Sequence, residues 1–268
     1  MAAMRKSAHP ALMSCRRPAA TQENTNTSVL TESLAVASSI VQNLRSAMTS
    51  TAGSSNEDAG GDPPVDVDVY YDFRSPYAYF SSHRIRRLLF TSPRNTNWRW
   101  QPVSIDVLLN LQAGRDPWAL YVDPLPAPKR AHLIADVRRA AAFYSAPLRP
   151  PNPLRPNSIP ALCVAAQLDV DDHEGFRNST FDALWQEQRD IANPAVLVAL
   201  LGQTTRGREI VDRAFSSDAR DALARRTIQA YADGVFGVPS FVWNGELFFG
   251  NDRLEMLGWR LGRPADRQ

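Results

Sequence analysis

The stretch VDVDVYYDFRSPYAYF, residues 65–80, constrains the fold more than any other. VDVDVYY alternates apolar and polar residues with the period of two that a half-buried strand requires. Ser75-Pro76 interrupts it. The following YAYFSSHRIRRLLF repeats its apolar residues at helical spacing, so 65–73 reads as a strand and 76–90 as a helix. Pro76 then falls at the first helical position, where a missing N–H costs nothing. A strand running straight into a helix puts the Ser75 hydroxyl at a helix N-terminus. That hydroxyl is either a plain N-cap or the working end of a site that holds an anion or a thiol.

The other end is equally patterned. In GVFGVPSFVWNGELFFGNDRLEMLGWRLG, SFVW and ELFF read as short strands. Asn244-Gly245 between them is the dipeptide of a type I′ hairpin turn. RLEMLGWRL reads as a closing helix capped by Asn251 or Asp252. Between the two ends, NWRWQPV (97–103) reads as a second strand and 105–232 as mostly helical. Helical periodicity is clear in LIADVRRAAAFY, FDALWQEQR, PAVLVALLG and ARDALARRTIQAYAD. The proline-dense APLRPPNPLRPNSIP (146–160) is expected to cross between helices in extended form. The order β-α-β, helical block, β-β-α predicts an α/β thioredoxin-like fold. Its helical, DsbA-like insertion, about 105–232, lies between the second strand and the C-terminal hairpin.

The expected domain spans 65–262, with 263–268 as a tail. Residues 1–64 are rich in Ser, Thr, Ala and Asn and end in NEDAGGDPP, the composition of a disordered extension. One piece, TESLAVASSIVQNLRSAM, has the pattern of a short helix. The first 22 residues carry Arg5, Lys6, Arg16 and Arg17 and no acid, a faint likeness to an organelle transit peptide. Without an apolar secretory core, the expected location is cytoplasmic. A net charge of +2 gives no argument for nucleic acid, and no run approaches the ~18 apolar residues of a membrane span.

A thioredoxin-type disulfide enzyme needs cysteines at 75 and 78, where this chain has Ser75 and Ala78. Its two cysteines, Cys15 and Cys163, form no CxxC, and Cys163 sits in the apolar run PALCVAA. Disulfide exchange needs a thiolate, so that chemistry is excluded whatever the fold. The four histidines show no ligand spacing, and no metal is expected.

A site without its own thiol can borrow one. A helix N-terminus carries about half a positive charge and free N–H groups, which stabilise a thiolate placed there. The expected donor is glutathione. Val238-Pro239, just before a strand, sits where thioredoxin-like folds carry a cis proline. On its own it also reads as an ordinary turn. Taken with Ser75-Pro76 and the hairpin it reads as cis, with Val238 pairing the cysteinyl backbone like an added strand. Asn251-Asp252 can cap the last helix, bind the γ-glutamyl end, or do both. The chain has 28 arginines and two lysines, Lys6 and Lys129. Lys129 is either what a coding bias toward arginine left behind or a site that wants a compact ammonium.

DFRSPYAY, PAPKRAHLIADVRRAA and GVFGVPSFVWNGELFFGNDRLEML together resemble the 2-hydroxychromene-2-carboxylate isomerase family, related to kappa-class glutathione transferases. The resemblance covers about 66–261. It implies Ser75 beside the glutathione sulfur, Lys129 lining the cleft, Val238 before cis Pro239, and Asn251 and Asp252 on the γ-glutamyl group. The family's Asn-x-Pro-Pro segment is replaced by GRDPWALY, with Asp116-Pro117. The implied reaction interconverts 2-hydroxychromene-2-carboxylate and trans-o-hydroxybenzylidenepyruvate, with glutathione as cofactor, an aromatic carboxylate as substrate and a homodimer as the assembly. Lys129 is the expected partner of the substrate carboxylate or phenolic oxygen, with Arg99, Arg130 and Arg138 as weaker candidates. Tyr77 and Trp118 are expected in the aromatic pocket or the core. A kappa-like transferase conjugating electrophiles would use the same residues. A non-catalytic binding module would need neither the lone lysine nor the Asn-Asp pair.

Overall fold

Strand β1 (Val65–Tyr71) alternates as its sequence does: Val67, Val69 and Tyr71 are fully buried, while Asp66, Asp68 and Tyr70 are not. The computed structural model describes residues 64–87, 92, 95–120 and 125–262. Helix α1 (Pro76–Arg86) follows β1, and β2 (Thr96–Pro102) returns parallel to it, with Val69 opposite Trp100. Strand β3 (Ser240–Trp243) lies antiparallel on the other side of β1, and β4 (Glu246–Phe249) pairs antiparallel with β3. The sheet order is β2-β1-β3-β4.

Between β2 and β3 run α2 (Ile105–Gln112), α3 (Ala127–Phe143), α4 (Ile159–Ala165), α5 (Val170–Trp185), α6 (Pro194–Leu200), α7 (Thr205–Ala214) and α8 (Ser217–Ala232). A 3₁₀ turn, Asn251–Arg253, leads into α9 (Leu254–Leu261). This is the α/β thioredoxin-like architecture with a helical insertion that the element order predicts. No helix among the described residues is long and apolar enough to cross a membrane. The proposed N-terminal extension, its helix, its basic start and Cys15 lie outside the described residues, as does the tail 263–268.

Several boundaries differ from the sequence reading. Helix α1 stops at Arg86, and residues 88–90 of the expected helix lie outside the described residues. Helix α3 starts at Ala127, six residues before LIADVRRAAAFY, because Pro128 fits its first turn. Helix α5 ends at Trp185 instead of running on to Arg189. The Trp185 carbonyl accepts from Arg149 N at 2.7 Å, and Gln188 takes a positive φ of 58°. Trp185 itself is an anchor: its indole stacks on Tyr79 with centroids 6.1 Å apart, and its Nε1 donates to Phe73 O at 2.9 Å. The proline-dense crossing is irregular up to α4, and Asn152-Pro153 is cis.

The closing turn corrects a second expectation. Neither Asn251 nor Asp252 caps a helix through its side chain. Asn251 points inward instead. Its Oδ1 accepts from Ser81 Oγ at 3.0 Å and from Arg84 Nη1 at 3.2 Å, and its carbonyl accepts from Arg84 Nη1 at 2.7 Å. Arg84 is 4% exposed, pairs with Glu255 of α9 and lies 4.4 Å from the centre of the Tyr144 ring. A buried guanidinium is tolerated only with such partners.

Two stability predictions follow from local geometry. At the hairpin Asn244 and Gly245 have φ of 49° and 79°, the paired left-handed conformation of a type I′ turn. Gly245→Ala should cost about 1–2 kcal/mol in urea unfolding, the price of a Cβ in that region. Asn251→Ala should cost about 2 kcal/mol, because the buried Arg84 loses one acceptor and Ser81 another. Wild-type stability in that variant would mean that Asn251 does not hold the turn.

Candidate functional site

The loop between β1 and α1 is built to deliver Ser75. Asp72, buried at the strand end, accepts from Arg74 N and from Ile105 N, each at 2.9 Å, and its carbonyl accepts from Ser75 N at 3.0 Å. The Arg74 guanidinium forks onto Asp106 at 2.7 and 3.0 Å, tying the loop to the first turn of α2. Ser75 is therefore set by both neighbouring elements, and it is 5% exposed. Its Oγ accepts from Ala78 N at 3.2 Å, so it is the N-cap of α1. Its hydroxyl proton points to Val238 O at 3.4 Å, a long contact that a better acceptor would displace.

The first turn of α1 has no acidic residue. Pro76 has no N–H, Ala78 donates to Ser75 Oγ and Tyr79 donates to Ser75 O. The Tyr77 amide is left without a partner among the described residues. An uncompensated helix N-terminus of this kind favours an anion.

Beside this turn lies a cleft of about 850 Å³, walled by α3, by Val238-Pro239 and by 249–253. The Val238-Pro239 bond is cis, as its context predicts. On α3 the lining residues Lys129, Leu133, Asp136, Ala140 and Phe143 recur at intervals of four and three, one face of a helix. Tyr77, on the opposite wall, donates through its hydroxyl to Asp136 Oδ2 at 2.7 Å. That bond, with Arg139 at 3.1 Å, holds the Asp136 carboxyl below its ordinary range. Burial and Asp136 push the Tyr77 phenol far up, so it keeps its proton.

The sequence-derived residues Lys129, Val238, Pro239, Asn251 and Asp252 all line this one cleft, and Ser75 touches it through Val238. Lys129 is exposed at the mouth. Asn251 is buried and spent on Arg84 and Ser81, whereas the Asp252 side chain is 68% exposed and pairs with Arg253 at 3.4 Å. Gly250, at φ 108°, allows that carboxylate its place: a Cβ there would sit 2.6 Å from Asp252 Oδ1.

Other candidates fall elsewhere. Arg99 is on the edge strand, paired with Asp66 and Asp68. Arg138 lines a separate hollow on the far side of α3, while Arg139, one residue on, faces the cleft. Arg130 is exposed and donates to Leu125 O. Trp118 lies under the Arg220 guanidinium at 4.3 Å and, with Pro117, lines another cavity beside Arg74 and Asp106. Asp136, Arg139 and Tyr144 carry no signal in the sequence beyond the four-three spacing that shares a face with Lys129. Cys163 is buried, and that burial pushes its thiol up to about 11, far from a reactive value.

Comparison with known proteins agrees with the fold. Residues 66–262 match the family model of the DSBA-like thioredoxin domain. The chain is 25% identical over 199 residues to 2-hydroxychromene-2-carboxylate isomerase of Sphingobium xenophagum, covering 71% of this chain and 95% of that one. It is 28% identical over 204 residues to the enzyme of the same name from Pseudomonas putida, covering 74% and 94%. A solved structure of a 2-hydroxychromene-2-carboxylate isomerase superimposes with a TM-score of 0.61 at 25% identity, covering 74% of this chain and 95% of that one. A probable DsbA oxidoreductase from Streptomyces coelicolor shares the fold at 15% identity, covering 76% of this chain and 93% of that one, with a TM-score of 0.56. The chain belongs to the DSBA-like thioredoxin family, and within it is similar to the 2-hydroxychromene-2-carboxylate isomerases.

Proposed function

We propose that this protein is a glutathione-dependent isomerase that interconverts 2-hydroxychromene-2-carboxylate and trans-o-hydroxybenzylidenepyruvate. One observation carries the reading. An α1 N-terminus with a weakly engaged Ser75 hydroxyl and an unpartnered Tyr77 amide opens beside a cleft holding Lys129 and Asp252. The donor set fits the tripeptide: hydroxyl and amide for a thiolate, the Val238 backbone for the cysteinyl unit, the Asp252 carboxylate for an α-ammonium.

Bound there, glutathione would supply a thiolate that adds reversibly to a conjugated carbon, which frees a double bond to rotate. The chain's own groups do the rest. Ser75 donates its proton to the anion and, with the helix dipole, lowers the thiol pKa; each unit is worth about 1.4 kcal/mol. Lys129 neutralises the carboxylate or phenolic oxygen of the substrate at the mouth. Tyr77, locked onto Asp136, forms a flat wall against an aromatic ring. Isomerisation balances without an oxidant or reductant, in keeping with a site that has Ser75 and Ala78 at the redox positions.

Thiolate absorbance of glutathione titrated into the protein should report a pKa well below that of free glutathione. Ser75→Ala should raise it by about one unit while costing about 1 kcal/mol of helix capping. An unchanged thiol titration in that variant would remove Ser75 from the site and favour a binding module. Asp252→Asn should weaken glutathione about tenfold, the loss of one charged hydrogen bond, and leave turnover at saturating glutathione nearly unchanged. Conversion of 2-hydroxychromene-2-carboxylate at the same rate without glutathione would overturn the reading.

A further inference from the structure

Helix α3 carries Lys129 to the cleft, yet the half that bears it has little to hold it. Of residues 127–135 only Leu133 is even half-buried. The residues of α3 that pack on the core, Val137, Ala140 and Ala141, all lie further along. Tertiary packing supplies most of the stability of a helix in a folded domain, so the first two turns of α3 lack that support.

Local chemistry does not replace it. The residue before the helix is Pro126, and no side chain caps the free N–H groups. The first turn has no acidic residue. Lys129 and Arg130 stand at this end instead, cations where the helix dipole favours anions. A helix start of this kind frays unless something outside its own sequence holds it.

The tie is at Asp136. Its Oδ2 accepts from the Tyr77 hydroxyl at 2.7 Å, and among the described residues no other hydrogen bond joins α3 to a different helix or strand. A hydroxyl on a carboxylate makes the stronger, charge-assisted kind of bond. Tyr77 is itself well placed to hold: it is the second residue of α1, and its ring meets Phe80 edge-on at 6.2 Å between centroids. It is also two residues from Ser75. Lys129 lies seven residues before Asp136, about 10 Å along the same face of α3. One bond thus links the turn that carries Ser75 to the helix that carries Lys129.

We infer that Tyr77 and Asp136 form a clasp that holds the N-terminal half of α3 beside the cleft and sets the place of Lys129 relative to Ser75. Both are positioning residues, and their link to catalysis rests on the role proposed above for Lys129.

Hydrogen exchange of the full chain, read by mass spectrometry, tests the clasp without turnover. Tyr77→Phe removes one oxygen and keeps the ring. Amides of 131–136 should then exchange about tenfold faster, the loss of one charged hydrogen bond, while those of α8 keep their wild-type rates. In the isomerase assay kcat/KM should fall about tenfold, with the thiol titration of bound glutathione unchanged. In a Lys129→Ala background the same substitution should cost nothing further. Unchanged exchange over 131–136, or an equal loss of kcat/KM with and without Lys129, would overturn the inference. A protein with no isomerase activity would instead sink the function proposed above and leave the clasp to be decided by exchange alone.

Discussion

The buried Arg84 guanidinium is the constraint on which the candidate site depends. A charge removed from water costs several kcal/mol unless every proton finds a partner. Here the partners come from different parts of the chain: Asn251 in the closing turn, Glu255 in α9 and the Tyr144 ring just after α3. All three must be in place before α1 can bury that side chain. Two of them, Asn251 and Tyr144, also line the cleft, so the interaction that stabilises the closing turn also ties two of its walls together. Asn251 holds the turn, and the Asp252 carboxylate, next to it, stays exposed on the cleft.

Ser75 holds a helix cap and a loosely engaged hydroxyl proton on one atom. Its Oγ lone pair caps α1 while its proton makes only a long contact to Val238 O. The cap keeps the hydroxyl aligned with the helix axis, where the dipole is strongest. The weak donor contact keeps its proton available. A cysteine at this position would be an internal nucleophile; a serine leaves the same electrostatic environment without a thiol of its own.

How far the site was legible depended on the range of the interactions involved. Ser75, Val238, Pro239 and Asp252 sit in short-range patterns: a strand broken by Ser-Pro, an X-Pro before a strand, a polar pair before a helix. Asp136 and Arg139 belong to a helix whose periodicity is weak, with Ala141 its only buried residue among those described. Nothing local says which face of such a helix turns inward. Arg138 and Arg139 are equivalent in composition, yet about 100° of rotation puts one in the cleft and the other behind it. Asn251 was legible as a site residue, but its inward hydrogen bonds to Arg84 were not, because the partners lie 167 residues apart.

The sequence by itself determined the order of strands and helices, the Asn-Gly hairpin, the place of the helix N-terminus and the exclusion of disulfide chemistry. Each follows from neighbours a few residues apart or from the absence of a cysteine. Tertiary structure alone decided which side chains share the cleft and which of Asn251 and Asp252 is free. It also placed Trp118 and Arg99 away from the cleft, and buried Arg177 against the Trp100 ring. Those outcomes depend on burial, and burial is set only when distant segments close over one another.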